Sequence, residues 1–379
     1  MTDIRRHLHR FPELAWQESK TTEFIANYLV NLGLEIIPWG GKSGLVALLR
    51  GGRPGPAVAL RADMDALPIQ ENNRVGYQST VAGVMHACGH DAHVACALGA
   101  ARLLAERASS LSGAVKFIFQ PAEELGGGAS AMIDKAVLDE AEIQAVFALH
   151  CRPDLAVGSI GLNPGPVMAA NDIVSIRIRG IGGHGAMPHQ TRDPIISSAA
   201  IILALQTLVS RQINPLEAAV ISFGTIYGGS AGNVIPEYVD LKGTIRTFEP
   251  AVREALKVKM KHLVENMAIA MGTAAEVTFD AGYPAVINPL PLTLFCRKSL
   301  QELLPEGNIP VVGPVMVTED FAEFQQIVPG VLLWLGTGSK NGGTSRSWHN
   351  PDFDIDEAAL PFGAAALAKL AIDYLAQRS

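Results

Sequence analysis

Apolar and polar positions alternate along this chain in two different rhythms. Phe24, Ile25, Tyr28, Leu29 and Leu32 recur at the spacing of one helix face, and Gly33 follows where a helix would end. Leu45–Arg50 and Ala57–Ala62 are short apolar runs separated by GGRPGP, which predicts two strands joined by a turn. A helix is expected over Val94–Ala105, a strand over Ala114–Gln120 stopped by Pro121, and another strand over Ala145–His150. Strands alternating with helices imply an α/β layer with helices on both faces of the sheet.

Near Ala170 the rhythm changes. In Asp172–Arg179, Ile173, Val174, Ile176 and Ile178 interleave with Ser175, Arg177 and Arg179, the pattern of a sheet with one buried and one wet face. A helix from Pro194 to about Arg211, strands at Ala218–Ile226 and Tyr238–Phe248, a helix over Ala251–Met271 and a strand at Ala275–Phe279 complete a β-α-β-β-α-β order, which is ferredoxin-like. After Pro284 mixed α/β character returns, with a strand at Val331–Leu335 and a closing helix over Glu357–Gln377. The reading is one α/β domain, residues 1–170 and 283–379, interrupted by an inserted α+β domain, residues 171–282.

Length supports that division, because 379 residues exceed what one core usually holds. A net charge of −7 supplies no basic field for phosphates, so neither nucleic acid nor a membrane surface is an expected partner. The opening MTDIRRHLHRFPELAW has no apolar signal core, and no run of about 18 uninterrupted apolar residues predicts a membrane span. Ile195–Val209 is expected as a buried helix. Four cysteines, Cys88, Cys96, Cys151 and Cys296, suit a reducing compartment better than a disulfide framework, so the cytoplasm is the expected location.

Three clusters carry chemistry. MHACGHDAH, residues 85–93, holds His86, Cys88, His90, Asp91 and His93; around Gly89 a tight turn would let Cys88 and His90 reach one metal, whereas a helix would part them. Thiolate and imidazole suit zinc, manganese, cobalt or nickel, not calcium. QPAEE, residues 120–124, follows a strand; of Glu123 and Glu124, one can bind metal while the other takes a proton from water. RADMDALP, residues 61–68, places Asp63 and Asp65 on one side of an extended chain, as metal ligands or as carboxylates that orient a ligand. His150 and His349 also end strand-like or loop segments, and His184 and His189 lie in GGHGAMPH within the inserted domain. Ligating types gathered at strand ends match the crevice of open α/β sheets.

RADMDALP, MHACGHDAH, QPAEE, the LH at His150, GGHGAMPH, GNVIPE, GTIRTF, TEDF and WHNP occur in this order. Together they resemble the amidohydrolase branch of the aminoacylase and glutamate-carboxypeptidase superfamily, with hippurate hydrolase, N-acetyl-diaminopimelate deacetylase and the auxin-conjugate hydrolases. The resemblance implies a zinc-peptidase-like catalytic domain and an inserted lid domain that dimerises. It implies two divalent metal ions (Zn, Mn, Co or Ni) held by Cys88, His90, Glu124, His150 and His349, with Glu123 as general base and Asp65 orienting the site. Asp63 stands where wider relatives place a metal-binding histidine. His184 would polarise the scissile carbonyl, and Asn233 and Arg246 would hold the substrate's carboxylate or the oxyanion. The implied activity is hydrolysis of the amide bond of small N-acyl amino acids, in a homodimer or higher homo-oligomer. The alternatives are a dipeptidase or carboxypeptidase on the same fold, a hydrolase with Cys88 as nucleophile, and a non-catalytic acyl-amino-acid binding protein.

Overall fold

A computed structural model describes residues 1–138, 143–338 and 346–377. The chain divides into two compact units: Met1–Val167 with Ile287–Gly313 and Asp320–Ser379, and Met168–Val286 with Pro314–Glu319. The six residues Pro314–Glu319, which sequence patterning assigns to the α/β domain, group with the second unit and are tied to its first two residues. Ala169 N–H donates to the Val317 carbonyl at 2.8 Å, and Met168 bridges Val315.

In the first unit a seven-stranded sheet runs in the spatial order Glu35–Ile37, Leu45–Arg50, Ser112–Gln120, Arg53–Asp63, Ile143–Ala156, Gly330–Gly338, Ile160–Gly161. The four middle strands are parallel, and the outer ones pair antiparallel. Leu45–Arg50 and Arg53–Asp63 adjoin in sequence but not in space, because Ser112–Gln120 lies between them. Every residue from Ala57 to Asp63 and from Gly330 to Gly338 is buried, as befits strands covered on both faces. The helices His90–Ala105 and Leu360–Gln377 pack on each other and on these strands. Phe117, Phe119, Phe147, Leu333, Leu98 and Leu367 are in the core they share.

Register decides where the chemistry falls. Asp63 pairs with Gln120, and Arg61 pairs with Ala148, so His150 stands level with Asp63 across the neighbouring strand. From the Arg53–Asp63 strand the chain proceeds first to one side and later to the other. The reversal opens a crevice at the carboxyl edge.

The second unit has an antiparallel sheet in the order Ala219–Tyr227, Tyr238–Thr247, Ala170–Arg179, Ala274–Ala281, with helices Pro194–Thr207 and Pro250–Ala270. This is the ferredoxin-like arrangement. Asp193 caps the first helix by accepting from the Ile195 and Ile196 amides, with Pro194 in its first turn. Val174, Ile176, Ile178, Ile201, Leu205, Leu256, Met260 and Val264 form the core.

The expectation of a buried helix over Ile195–Val209 needs correction. Ile201, Leu205 and Leu208 are buried, but Ile196 and Leu203 are 57% and 73% exposed. A helix laid on a four-stranded sheet can bury one flank only. Among the described residues, two helical stretches, Pro194–Gln212 and Glu357–Gln377, are long and apolar enough to cross a membrane by length and composition alone. The second buries Leu360, Leu367, Leu370 and Leu375 in the first unit's core.

Candidate metal centre

Gly89 sets the geometry of the first pair of candidate ligands. It caps the His90–Ala105 helix with φ +97°, a conformation that side chains other than glycine rarely adopt, and a Cβ there would meet the Cys151 Cβ and Sγ at 3.1 Å. The turn leaves Cys88 ahead of the helix and His90 as its first residue, so both face the crevice. Cys88 Sγ lies 3.5 Å from His150 Nε2.

The second pair comes from the loop after Gln120. Ala122 has φ +53°, and its N–H donates to Glu18 Oε1 at 2.8 Å. Asp65 then receives both following amides: Glu123 N–H on Oδ1 at 3.1 Å and Glu124 N–H on Oδ2 at 3.0 Å. His349, at φ +61°, is tied by its N–H to the Ala87 carbonyl at 2.8 Å, and its Nε2 stands 3.3 Å from Glu124 Oε1. Two non-glycine residues in left-handed backbone flank one site. Such strain persists only where surrounding bonds hold it.

The ligating atoms of Cys88, His90 and His150 lie within 4.8 Å of one another, as do those of Cys88, Glu124 and His349, so Cys88 is common to both groups. His90, Glu123 and Glu124 form a third such group. All five side chains implied as ligands thus converge, with Glu123 beside them.

Main-chain carbonyls orient the two buried imidazoles. His90 Nδ1 donates to the Asp65 carbonyl and His150 Nδ1 to the Cys151 carbonyl, each at 2.9 Å. The Nε2 lone pair of each ring is left for the centre. Burial, reinforced by the charges of Glu124, Glu123 and Asp63, pushes the Cys88 thiol well above its ordinary value. Burial works against a charged His90, yet Asp63, Asp65 and Glu124 raise it to about 10. Burial and neighbouring His93 hold His150 well below its ordinary value, as a neutral ligand requires.

These residues fit a pair of divalent cations. His90 Nε2 is buried with no hydrogen-bond partner among the described residues. The negative field that adds to the rise of Cys88 and overcomes burial at His90 is what an added dication relieves. Thiolate, imidazole and carboxylate donors suit zinc and its transition-metal neighbours.

The three residues to which the resemblance gives a substrate role, His184, Asn233 and Arg246, lie in the second unit. His184 pairs with Val234, and the Gly185 N–H donates to the Asn233 carbonyl at 2.8 Å, so His184 and Asn233 are brought together. Ala186 N–H donates to His184 Nδ1 at 3.0 Å, which assigns the ring proton to Nε2. Arg246 donates to the Met316 carbonyl at 2.7 Å, and burial lowers the guanidinium from its ordinary value.

Sequence reasoning missed a buried support beneath the centre. Arg61 donates to Gln120 Oε1 at 2.9 Å, to Asp63 Oδ2 at 2.8 Å and to Asp320 Oδ1 at 2.9 Å. Asp320, within TEDF, also accepts from Gln120 Nε2 at 2.8 Å and from the Ala129 amide at 3.0 Å. The available signal was Arg61 itself, a charged residue inside an apolar strand run.

The profile of peptidase family M20/M25/M40 matches residues 59–373. An N-acetyl-L-cysteine deacetylase of Bacillus subtilis is 44% identical over 94% of this chain and 84% of its own length. Thermostable carboxypeptidase 1 of Saccharolobus solfataricus is 39% identical over 98% and 94%. Among solved structures, a dinuclear metal-binding peptidase of family M20 from Bacillus subtilis superposes with TM-score 0.88 at 37% identity, covering 99% of this chain and 97% of that one. This chain belongs to peptidase family M20/M25/M40 and is a metal-dependent amidohydrolase of that family.

Proposed function

We propose that the protein hydrolyses the amide bond of small N-acyl amino acids to a carboxylic acid and a free amino acid. The observation that carries this reading is the convergence of Cys88, His90, Glu124, His150 and His349 beside Glu123. The likeness to an N-acetyl-L-cysteine deacetylase supports the substrate class.

When bound, a pair of divalent cations supplies the Lewis acidity that acidifies a water and polarises the scissile carbonyl. Glu123 accepts the proton of the attacking water and returns it to the departing amine nitrogen. Asp65 holds the Glu123 and Glu124 amides on its two oxygens, so base and ligand keep a fixed relation. The Nε2–H of His184 is available to donate to the oxygen on which negative charge grows. Arg246 pairs its planar fork with the substrate's carboxylate, and Asn233 adds a side-chain amide donor. The roles of these three rest on their motifs.

A carboxypeptidase reading keeps the same chemistry and is favoured by the likeness to a thermostable carboxypeptidase. Mass spectrometry of metal-replete protein with N-acetyl amino acids, N-benzoyl amino acids and peptides separates the two. Release of free amino acid from N-acyl substrates in preference to peptides supports the deacylase reading; cleavage of peptides alone overturns it. Chelation followed by metal addition should abolish and restore turnover, whereas a Cys88-nucleophile hydrolase would survive chelation.

The homodimer expectation is supported by large apolar side chains left exposed on the second unit, Leu203 on its first helix and Ile226 and Tyr227 on its edge strand. A monomer by light scattering contradicts it. Cytoplasmic action is supported by four cysteines that are all free.

A further inference from the structure

We propose that Asp63 and His93 are positioning residues for the ligand His150 and are not themselves metal ligands. Asp63, His90 and His93 form a buried group whose ligating atoms lie within 4.8 Å of one another, which by spacing alone could hold a cation. Hydrogen bonding argues otherwise. The Cys151 N–H donates to His93 Nε2 at 2.9 Å. An amide nitrogen only donates, so Nε2 spends its lone pair there and the ring proton sits on Nδ1. That proton is directed at Asp63 Oδ1, 2.6 Å away. With both nitrogens committed, His93 has no lone pair left for a cation.

Asp63 is engaged on both oxygens. One oxygen takes the His93 proton, and the other takes Arg61 Nη1 at 2.8 Å. Gln120 and Asp320 hold the guanidinium in place, so it cannot swing away. Asp63 Oδ2 does lie 3.8 Å from His90 Nε2, near enough for both to meet around one ion. The guanidinium on that same oxygen opposes a second positive charge there, and in a buried setting such repulsion is weakly screened.

Beyond His93 the path reaches a ligand. Residue 151 is held by its N–H on His93, while its carbonyl accepts His150 Nδ1 and Trp348 Nε1, both at 2.9 Å. Trp348 immediately precedes His349. A continuous run of bonds therefore leads from Arg61 through Asp63 and His93 to the main chain that clasps His150. With Nδ1 tied, His150 keeps Nε2 facing Cys88. The carbonyl behind a ligating imidazole normally fixes its tautomer and angle; here the residue that carries the carbonyl is anchored by its own N–H on a buried imidazole.

The inference rests on the metal-centre reading, and the test separates the two. Metal-free wild type, Asp63→Asn, His93→Gln and His150→Ala are titrated with cobalt(II), reading bound equivalents by mass spectrometry and the visible d–d and thiolate charge-transfer bands. Asp63→Asn is isosteric, so it guards against a folding failure in His93→Gln. The expected result is that Asp63→Asn and His93→Gln still bind two equivalents, with affinity about 10–100-fold weaker and shifted d–d bands, while the thiolate band persists. His150→Ala should lose one equivalent. Loss of a full equivalent in Asp63→Asn would make Asp63 a ligand and overturn the proposal, as would wild-type affinity and spectra in both variants. A wild-type chain that takes up no cobalt sinks the metal-centre reading and this inference with it.

Discussion

The Oδ2 oxygen of Asp65 accepts the main-chain N–H of Glu124 at 3.0 Å, while its Oδ1 holds the amide of Glu123 at 3.1 Å. One carboxylate thus sets the relation between the proposed ligand Glu124 and the proposed base Glu123. Removing it in Asp65→Ala should leave both glutamates present but loosely placed. Steady-state kinetics on metal-replete protein should show kcat reduced by about 10–100-fold with a smaller change in KM. An unchanged kcat would mean that the loop holds itself.

The proposed function gives Glu123 a different task from Glu124, although the two are adjacent. Glu123→Gln keeps the shape and removes the proton acceptor. Turnover should fall by about 10²–10⁴-fold, with two metal equivalents retained. Near-wild-type turnover would show that another group accepts the proton.

Gly89 is a backbone requirement. Alanine there would be strained at φ +97° and crowded by Cys151. Gly89→Ala should destabilise the fold by about 1–3 kcal/mol in denaturant melts and lower metal content, because Cys88 and His90 would no longer share a direction. A variant with wild-type stability and metal content would contradict this account of the turn.

A second buried polar cluster braces the far side of the same helix start. Arg5 Nε donates to Asp91 Oδ2 at 2.8 Å, and His9 Nδ1 reaches the same oxygen at 2.7 Å, with Glu71 on His9 Nε2 at 3.2 Å. Burial works against a charged His9, but Asp91 and Glu71 raise its pKa above the ordinary 6.5. A raised value means that its contribution is complete below about 6.5 and is lost as pH climbs through the folded pKa. Burial also opposes a charged Asp91, yet Arg5 and His9 hold it well below the carboxylate range, so its share is lost on acidification instead. In urea melts across pH 6 to 9, wild type should exceed His9→Gln in stability at the acid end, and the gap should close toward the alkaline end. A gap that widens with pH would reverse the sign assigned to His9.

Sequence and structure agree where chemistry follows simple periodicity. Buried parallel strands such as Arg53–Asp63 and Ser112–Gln120 read as apolar runs, so their ends, where Asp63 and Gln120 pair, were visible in the sequence. The helix Thr2–Arg10 was not, because its buried face is Arg5, Leu8 and His9, and two polar residues on an inner face erase the apolar stripe. Glu18 was not legible, and Arg61 showed only as a charge inside an apolar run, without its partners. Each is buried only because a distant partner, the Ala122 amide or Asp320, completes its hydrogen bonds, and spacing along the chain carries no sign of such pairs. The same holds for His93, whose role depends on the Cys151 amide of another strand.

Anomalous diffraction at the absorption edge of the bound metal, on crystals of metal-replete protein, tests the central claim most directly. The account predicts two peaks about 3.5 Å apart, enclosed by Cys88, His90, Glu124, His150 and His349, with Asp63 outside the coordination of both. A single peak, no peak, or a pair of ions that leaves any of those five side chains unengaged would contradict it.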